Sequence, residues 1–350
     1  MLNLSGKKIA CISDIHLGVH QDSQQWHAIN MKFVRWLDET LKLKNINDII
    51  IAGDIFHNRH EIGVNTLNLA SEFFNVLKDY NIVAITGNHD CYYRDKSDVN
   101  SISILNKENM QVFSELRVFN YRNKTICFCP WGVSLDQIPK CDILIGHFEI
   151  LNFKMNHHKV CDHGFETESI LDKAGLVISG HFHYREHRKY SNGRSILYLG
   201  SPFELDFGDR DQTKGISILD FETNEIEFIE NTLTPKHIKL SLSSLLEGKI
   251  TNIQSLVQGN IVSLNVDTKM KSDSIDTLTT RLLQFKPLQF RTEYNFFDTD
   301  NALDEEIDQL SIDVETAFHE FINLLSTDVD KNMIINKCLE IYKISQTTNE

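Results

Sequence analysis

Five apolar runs recur along the first half of the chain, each ended by a short polar block. They span residues 9–12, 49–52, 82–85, 143–145 and 176–178. Short, continuous and rich in Ile and Val, such runs read as strands buried on both faces. Between them the spacing predicts helices over roughly 26–43, 64–80 and 165–173, with Phe33, Leu37 and Leu41 recurring at helical intervals in the first. Strand and helix in alternation predict a parallel or mixed sheet with helices on its faces. The polar blocks are Asp14-Ile15-His16, Gly53-Asp54, Gly87-Asn88-His89-Asp90, Gly146-His147 and Gly180-His181-Phe182-His183. Parallel strands aim their C-terminal ends at one rim of a sheet, so all five blocks are expected to meet along a single rim.

Beyond residue 184 the texture changes to strands. Asn192-Gly193 between extended segments reads as a hairpin turn. Residues 216–221 and 226–229 form a further expected pair, joined through Glu222-Thr223-Asn224. The first domain is therefore expected to cover 1–232. A small α/β domain over 233–297 follows, with strands at 237–242, 261–266 and 288–294 and helices at 244–257 and 272–285. Residues 298–330 then carry eleven carboxylates and no Lys or Arg. Within them Leu303, Ile307, Leu310, Val314, Phe318, Phe321 and Leu325 step by threes and fours, the mark of an amphipathic helix. Thr327 and Asp330 offer a capping box for a second helix bearing Ile334, Cys338 and Ile341. A helical tail over 298–350 is the expectation.

The net charge of −14 over 350 residues argues against a free-standing nucleic-acid binder. It leaves a nuclease open, because bound cations reverse the field at a site. The seven cysteines form no CxxC pair, and Cys11, Cys127, Cys129 and Cys141 fall in or beside strand-like runs. They read as small buried hydrophobes in a reducing compartment. The first residues hold no apolar signal core, and no run approaches membrane-spanning length. These features make a cytoplasmic protein without membrane contact the expectation, in the host cytoplasm if phage-encoded.

The five blocks together point to a pair of divalent metals and to phosphate-ester chemistry. Asp54, after its glycine, is the natural bridging carboxylate. Asp14, His16 and His183 would complete one metal; Asn88, His147 and His181 would complete the other. Mixed imidazole and carboxylate ligation suits Mn, Fe or Zn better than an all-oxygen Mg site. His89 is not needed as a ligand and reads as a general acid for the leaving oxygen. Asp90 is expected to orient His89 or a ligand. Arg185, Arg188, Lys189 and Arg194 around the hairpin, with Arg59, Arg94 and Lys96 after two of the blocks, are candidate phosphate contacts. Residues 157–163, with His157, His158, Cys161 and His163, read as a polar loop over the site, their spacing being irregular for zinc.

These motifs resemble the calcineurin-like metallophosphoesterases, and within them the nuclease subunits of the SbcCD type and of T-even-like phages. The likeness is carried by Asp14-Ile15-His16-Leu17-Gly18, Gly53-Asp54-Ile55-Phe56-His57, Gly87-Asn88-His89-Asp90, Gly146-His147-Phe148, Gly180-His181-Phe182-His183 and Gly200-Ser201-Pro202. The resemblance implies a four-layer α/β/β/α sandwich with a small capping domain. It implies two Mn²⁺ ions, with Mg²⁺ or another divalent ion as a substitute, and 3′–5′ exonuclease and endonuclease activity on DNA in recombination and repair. It implies the same seven ligands, makes His89 the catalytic histidine, and puts His57 near the scissile phosphate, where the bare sequence would leave a turn residue. It also implies docking of the helical tail onto an SbcC-like coiled-coil ABC ATPase, and a homodimer in a 2:2 complex. A protein phosphatase would want Asp-Arg-Gly after the bridging Asp and Glu after Asn-His; Asp54 is followed instead by Ile55-Phe56-His57 and His89 by Asp90. The competing expectations are a small-substrate phosphodiesterase or phosphatase on the same metal core, and a non-catalytic docking module for a partner ATPase.

Overall fold

The computed structural model describes residues 2–93, 96–105, 107–295 and 331–347. The chain divides into two units, residues 1–296 and 297–350. In the first unit the apolar runs become strands of two six-stranded sheets. One sheet has β1 (Lys8–Ile12), β2 (Asp48–Ala52), β3 (Asn81–Ile85) and β4 (Met110–Phe113) in parallel. Its far edge is extended by antiparallel β11 (Gly215–Asp220) and β12 (Ile226–Glu230), in the order β12-β11-β1-β2-β3-β4. The other runs β5 (Arg117–Tyr121), β6 (Lys124–Cys129), β7 (Cys141–His147), β8 (Ala174–Gly180), β10 (Ser195–Tyr198), β9 (Glu186–Lys189), with β6, β7, β8 and β10 parallel. Asn192 and Gly193 do close the hairpin between β9 and β10.

The single rim expected from the sequence is thus two rims facing each other. The reason lies in the period-2 alternation of side chains along a strand. On β1, Ala10 and Ile12 join Phe33, Leu37, Leu41 and Phe73 of the covering helices, while Ile9 and Cys11 join Ile143, Ile145, Leu176 and Ile178 of the second sheet. On the second sheet, Cys127, Leu144, Val177 and Ile196 face Ile170 and Leu171 on the outer side. Every central strand is buried on both faces, and an apolar run looks the same whether a helix or another sheet covers it. The result is four layers: helices, sheet, sheet, and a last layer of helix and loop.

The helical layer consists of α2 (Gln24–Lys44) and α3 (Val64–Val76), preceded by α1 (Val19–Asp22), a single turn in which His20 and Gln21 are left-handed. The Ser23 hydroxyl accepts the Trp26 N–H and caps α2. α3 stops at Val76, short of the expected residue 80; there the Tyr80 hydroxyl donates to Asp38, closing the turn onto α2. On the outer side lies α4 (Thr167–Leu171). Phe33 is fully buried among Trp36, Phe73 and Phe203. Phe33→Ala is expected to cost about 3–5 kcal/mol of stability; urea unfolding followed by circular dichroism measures it, and a loss below about 1 kcal/mol would show a core that collapses freely into the gap.

A three-stranded parallel sheet, β13 (His237–Ser241), β14 (Ile261–Val266) and β15 (Gln289–Tyr294), closes the first unit. Leu240, Leu242, Val257, Val262, Leu264 and Ile275 build its own small core. Where the spacing predicts one helix over 244–257, the structure has two, α5 (Leu242–Leu246) and α6 (Ile253–Val257). Left-handed backbone at Gly248 and Asn252 breaks the run. Helix α7 (Ser272–Leu283) follows. In the second unit, α8 (Lys331–Thr347) carries Ile334, Cys338 and Ile341; the acidic helix expected over 298–330 and its capping box lie outside the described residues. Cys11, Cys91, Cys127, Cys129 and Cys161 are buried, Cys141 and Cys338 partly so, and all are free thiols. Among the described residues no helix is long and apolar enough to cross a membrane.

Candidate metal centre

The two facing rims bring the five polar blocks within reach of one another. Gly53 shows how. Its backbone is left-handed (φ +91°), and a Cβ there would strike the His147 ring. Only glycine lets the second sheet come close enough for His147 Nδ1 to donate to Ala52 O at 2.8 Å. Ser13 ties the same carbonyl, its hydroxyl donating to Ala52 O at 2.9 Å.

Besides His16, His57 and His89, which also converge, two groups of donor atoms result. Asp14, His16 and His183 each present one atom within 4.8 Å of the others; Asp54, His147 and His181 do the same. Asn88 joins the second group, its Oδ1 lying 2.9 Å from His147 Nε2 and 2.9 Å from His181 Nδ1. Asp54 lies between the groups, its Oδ2 3.3 Å from His147 Nε2 and 3.8 Å from His16 Nε2. Asp14 and Asp54 are buried, and neither pairs with a Lys or Arg among the described residues. Two buried carboxylates without a lysine or arginine call for another cation. Burial alone would raise the Asp54 carboxyl, but His147 and then His16 hold it below the usual carboxylate range. Burial likewise opposes charge on His147, yet Asp54 lifts that imidazole to about 9.

The imidazoles are also held from behind, as ligands require. His147 commits Nδ1 to Ala52 O, which leaves Nε2 for the centre. His181 Nε2 lies 3.2 Å from Glu149, which leaves Nδ1. His183 Nδ1 lies 3.7 Å from Asp209, and its Nε2 faces His16 Nε2 at 3.1 Å. The backbone contributes as well: Asp14, His16, Asp54 and His181 all sit in the left-handed region. Such residues cost roughly 1–3 kcal/mol each and cluster where surrounding structure over-determines them. Here the Asp14 and His16 amides donate to the carbonyls of Gly53 and Asp54 at 3.1 Å, binding the first two blocks together.

Asp90 holds the bridge loop rather than His89. Its carboxylate accepts the backbone N–H groups of Asp54, Ile55, Phe56 and Gly87 at 2.7–3.0 Å and makes no contact with the His89 ring. Of its two expected partners, His89 or a ligand, the geometry is that of the second: Asp90 is buried and holds the loop that carries Asp54. Burial and the Asp54 charge push its carboxyl up to about 7, against the pull of those N–H groups. His89 is fixed by other means. Its N–H donates to Asp54 Oδ1 at 2.8 Å, and its Nδ1 donates to His57 O at 2.6 Å. His57 stacks on the His89 ring, centroids 5.6 Å apart, and burial and the His89 charge lower its imidazole to about 4. Above them opens a cleft of about 700 Å³ whose lining includes His57, Arg59, His60, Asn88, His89 and Trp131. A second cleft, of about 570 Å³, reaches His16, His57 and His183 from the other side.

A calcineurin-like phosphoesterase model matches residues 7–185, which hold every one of these blocks. The chain belongs to the calcineurin-like phosphoesterases. Exonuclease subunit 1 of Enterobacteria phage T4 is 28% identical over 96% of this chain and 98% of its own length. One subunit of the SbcCD nuclease of Staphylococcus epidermidis is 23% identical over 65% of this chain and 69% of its own. An uncharacterized protein of Acanthamoeba polyphaga mimivirus is 24% identical over 70% of this chain and 20% of its own. The chain is thus a phosphoesterase related to nuclease subunits, with a donor set suited to divalent metals.

Several residues around this phosphoesterase centre are not evident from sequence. Glu149 directly follows Gly146-His147-Phe148, so its place after the motif is a usable signal. Asp209 and Lys214 offer none. They form a buried ion pair at 3.0 Å, and Lys214 Nζ also donates to His183 O at 2.6 Å and to the Ser201 hydroxyl at 2.9 Å. In sequence they sit in a charged stretch that reads as surface loop. The basic candidates fare unevenly. Arg59 lines the larger cleft, and Lys96 and Lys189 are exposed. Arg188 donates to Glu186 and Asn152 at 2.8 Å and lies over the Phe153 ring. Arg194 likewise serves Leu171 O and Asp172, and Arg185 is packed over Phe228. All three thus make contacts within the protein. Arg94 lies outside the described residues.

Proposed function

We propose that this chain is the DNA nuclease subunit of a two-component end-processing machine, working with two divalent ions, Mn²⁺ by preference. The observation that carries the reading is Asp54, lodged between two groups of metal-ligand type, with Asn88, His89 and His181 lining an open cleft beside it. Asp14, His16 and His183 would hold one ion, Asn88, His147 and His181 the other, with Asp54 shared. A metal pair so held supplies charge neutralisation at the phosphate and an acidified water as nucleophile. The protein's own part is positioning. Asp90 and the glycines fix the bridge, Glu149 and Asp209 set ring orientations, and His89 hands a proton to the departing 3′-oxygen from the cleft wall. His57 shields His89 and borders the phosphate path.

Similarity to proteins named as nuclease subunits supports DNA as substrate and a second component as partner. In this reading residues 1–232 cut, 233–297 form the cap, and 298–350 dock onto an SbcC-like coiled-coil ATPase, two copies of each making a 2:2 complex. Arg59 and Lys189 remain the phosphate contacts of choice. The test is cleavage of linear DNA by the purified full chain. Activity is expected with Mn²⁺, and its loss on chelation by EDTA is expected to reverse when Mn²⁺ is restored. Turnover of a chromogenic phosphomonoester with no DNA cleavage, alone or with the ATPase, would reject the nuclease reading.

A further inference from the structure

Beside the metal centre lies a pocket of about 280 Å³ that hydrolysis itself does not require. Its lining includes Trp131, Gly132, Val133, Phe148, Gly164 and Phe165. It is continuous with the site: Trp131 and Glu149 line both this pocket and the larger cleft, and His147 borders it. The Trp131 ring lies 5.1 Å from the His181 ring and 6.0 Å from the His147 ring, so the indole wall of the pocket abuts the donor residues.

The pocket is also built rather than incidental. The Trp131 amide donates to Thr86 O at 2.9 Å, which ties its loop to the end of the strand that carries Asn88. Across the pocket, the Phe165 amide donates to Glu149 O at 2.8 Å, and the Leu151 amide to Phe165 O at 2.9 Å. Both aromatic walls are therefore anchored by backbone hydrogen bonds, one beside Asn88 and the other at Glu149. Trp131 and Phe165 are half-buried, and both line the pocket.

We infer that this pocket receives one nucleobase of the strand being cut, stacked on Trp131 while the adjoining phosphate lies over Asp54; this rests on the nuclease reading above. A flat aromatic ring suits a mainly apolar pocket of this size, and stacking holds any base regardless of sequence. The pocket would thus favour nucleotide esters over simple phosphate esters and set which phosphate is cut.

The test uses the full chain with Mn²⁺ and single-stranded oligonucleotides in which one abasic nucleotide is moved position by position. At one offset from the abasic residue, cleavage is expected to fall by about tenfold to a hundredfold. In Trp131→Ala intact DNA is expected to be cut with a raised KM, and the dip at that offset to vanish; Trp131→Phe restores both. Equal cleavage at every offset, or a dip that survives in Trp131→Ala, would overturn the assignment. Oligo(dT) binding followed by tryptophan fluorescence separates this from the nuclease reading. Quenching that Trp131→Phe abolishes, in a chain that cuts no DNA, would sink the nuclease reading and keep the pocket. Cleavage without such quenching would sink the pocket alone.

Discussion

Asp54→Asn is expected to lower Mn²⁺-dependent cleavage of linear DNA by at least about 10³-fold, well beyond the 10–100-fold that partners outside the ligand set command. Asparagine is the informative substitution because it changes charge and little else. Asp54 sits at φ 54°, a left-handed conformation that asparagine tolerates and alanine does not. Its Oδ1 still accepts the His89 amide, and its own N–H still reaches Asp90. Folding should therefore persist, as circular dichroism would show. What disappears is the negative charge between the two donor groups, so calorimetry should register fewer than two Mn²⁺ per chain. A variant that keeps two tightly bound ions and ordinary nuclease activity would remove Asp54 from the centre of the scheme.

Much of this centre is legible in the residues alone, for a physical reason. A strand buried on both faces needs an unbroken apolar run, and polar residues placed straight after it must sit at a strand end. Asp14, Asp54, Asn88, His147 and His181 all announce themselves in this way. What local pattern cannot carry is the partner of each face. The split of β1, β2 and β3 from β7 and β8 depends on which apolar surface covers which, and Ile9 or Ile143 would look identical under a helix. Asp90 leaves the sequence reading divided between His89 and a ligand, because adjacency in the chain is not adjacency of side chains. After the sharp Gly87 turn its carboxylate points back under the bridge loop while the His89 ring points outward.

The supporting shell is the least visible part. Asp209 and Lys214 reach His183 from 26 and 31 residues downstream, across a loop whose charges look solvated. Only the tertiary fold buries them. The contacts of Arg188 are equally hidden from the sequence: its guanidinium lies over Phe153 and pairs with Glu186. Long cationic side chains often serve packing through their stems and planar heads.

His89→Gln carries the second large expected effect, a fall of about 10²–10⁴ in kcat on DNA with Mn²⁺ binding unchanged. The two hydrogen bonds that fix the residue, from its amide to Asp54 and from Nδ1 to the His57 carbonyl, leave Nε2 as the ring nitrogen free for the cleft. A 3′-oxygen leaves poorly without a proton, so an acid there should matter greatly. A nitrophenolate leaves well unaided. The variant should therefore hydrolyse bis-p-nitrophenyl phosphate at a rate within a few-fold of the unaltered chain while DNA cleavage collapses. Equal losses on both substrates would mean that His89 binds the phosphate and protonates nothing. That contrast depends on the leaving group alone, so it separates proton transfer from any disturbance of the ions that the substitution brings.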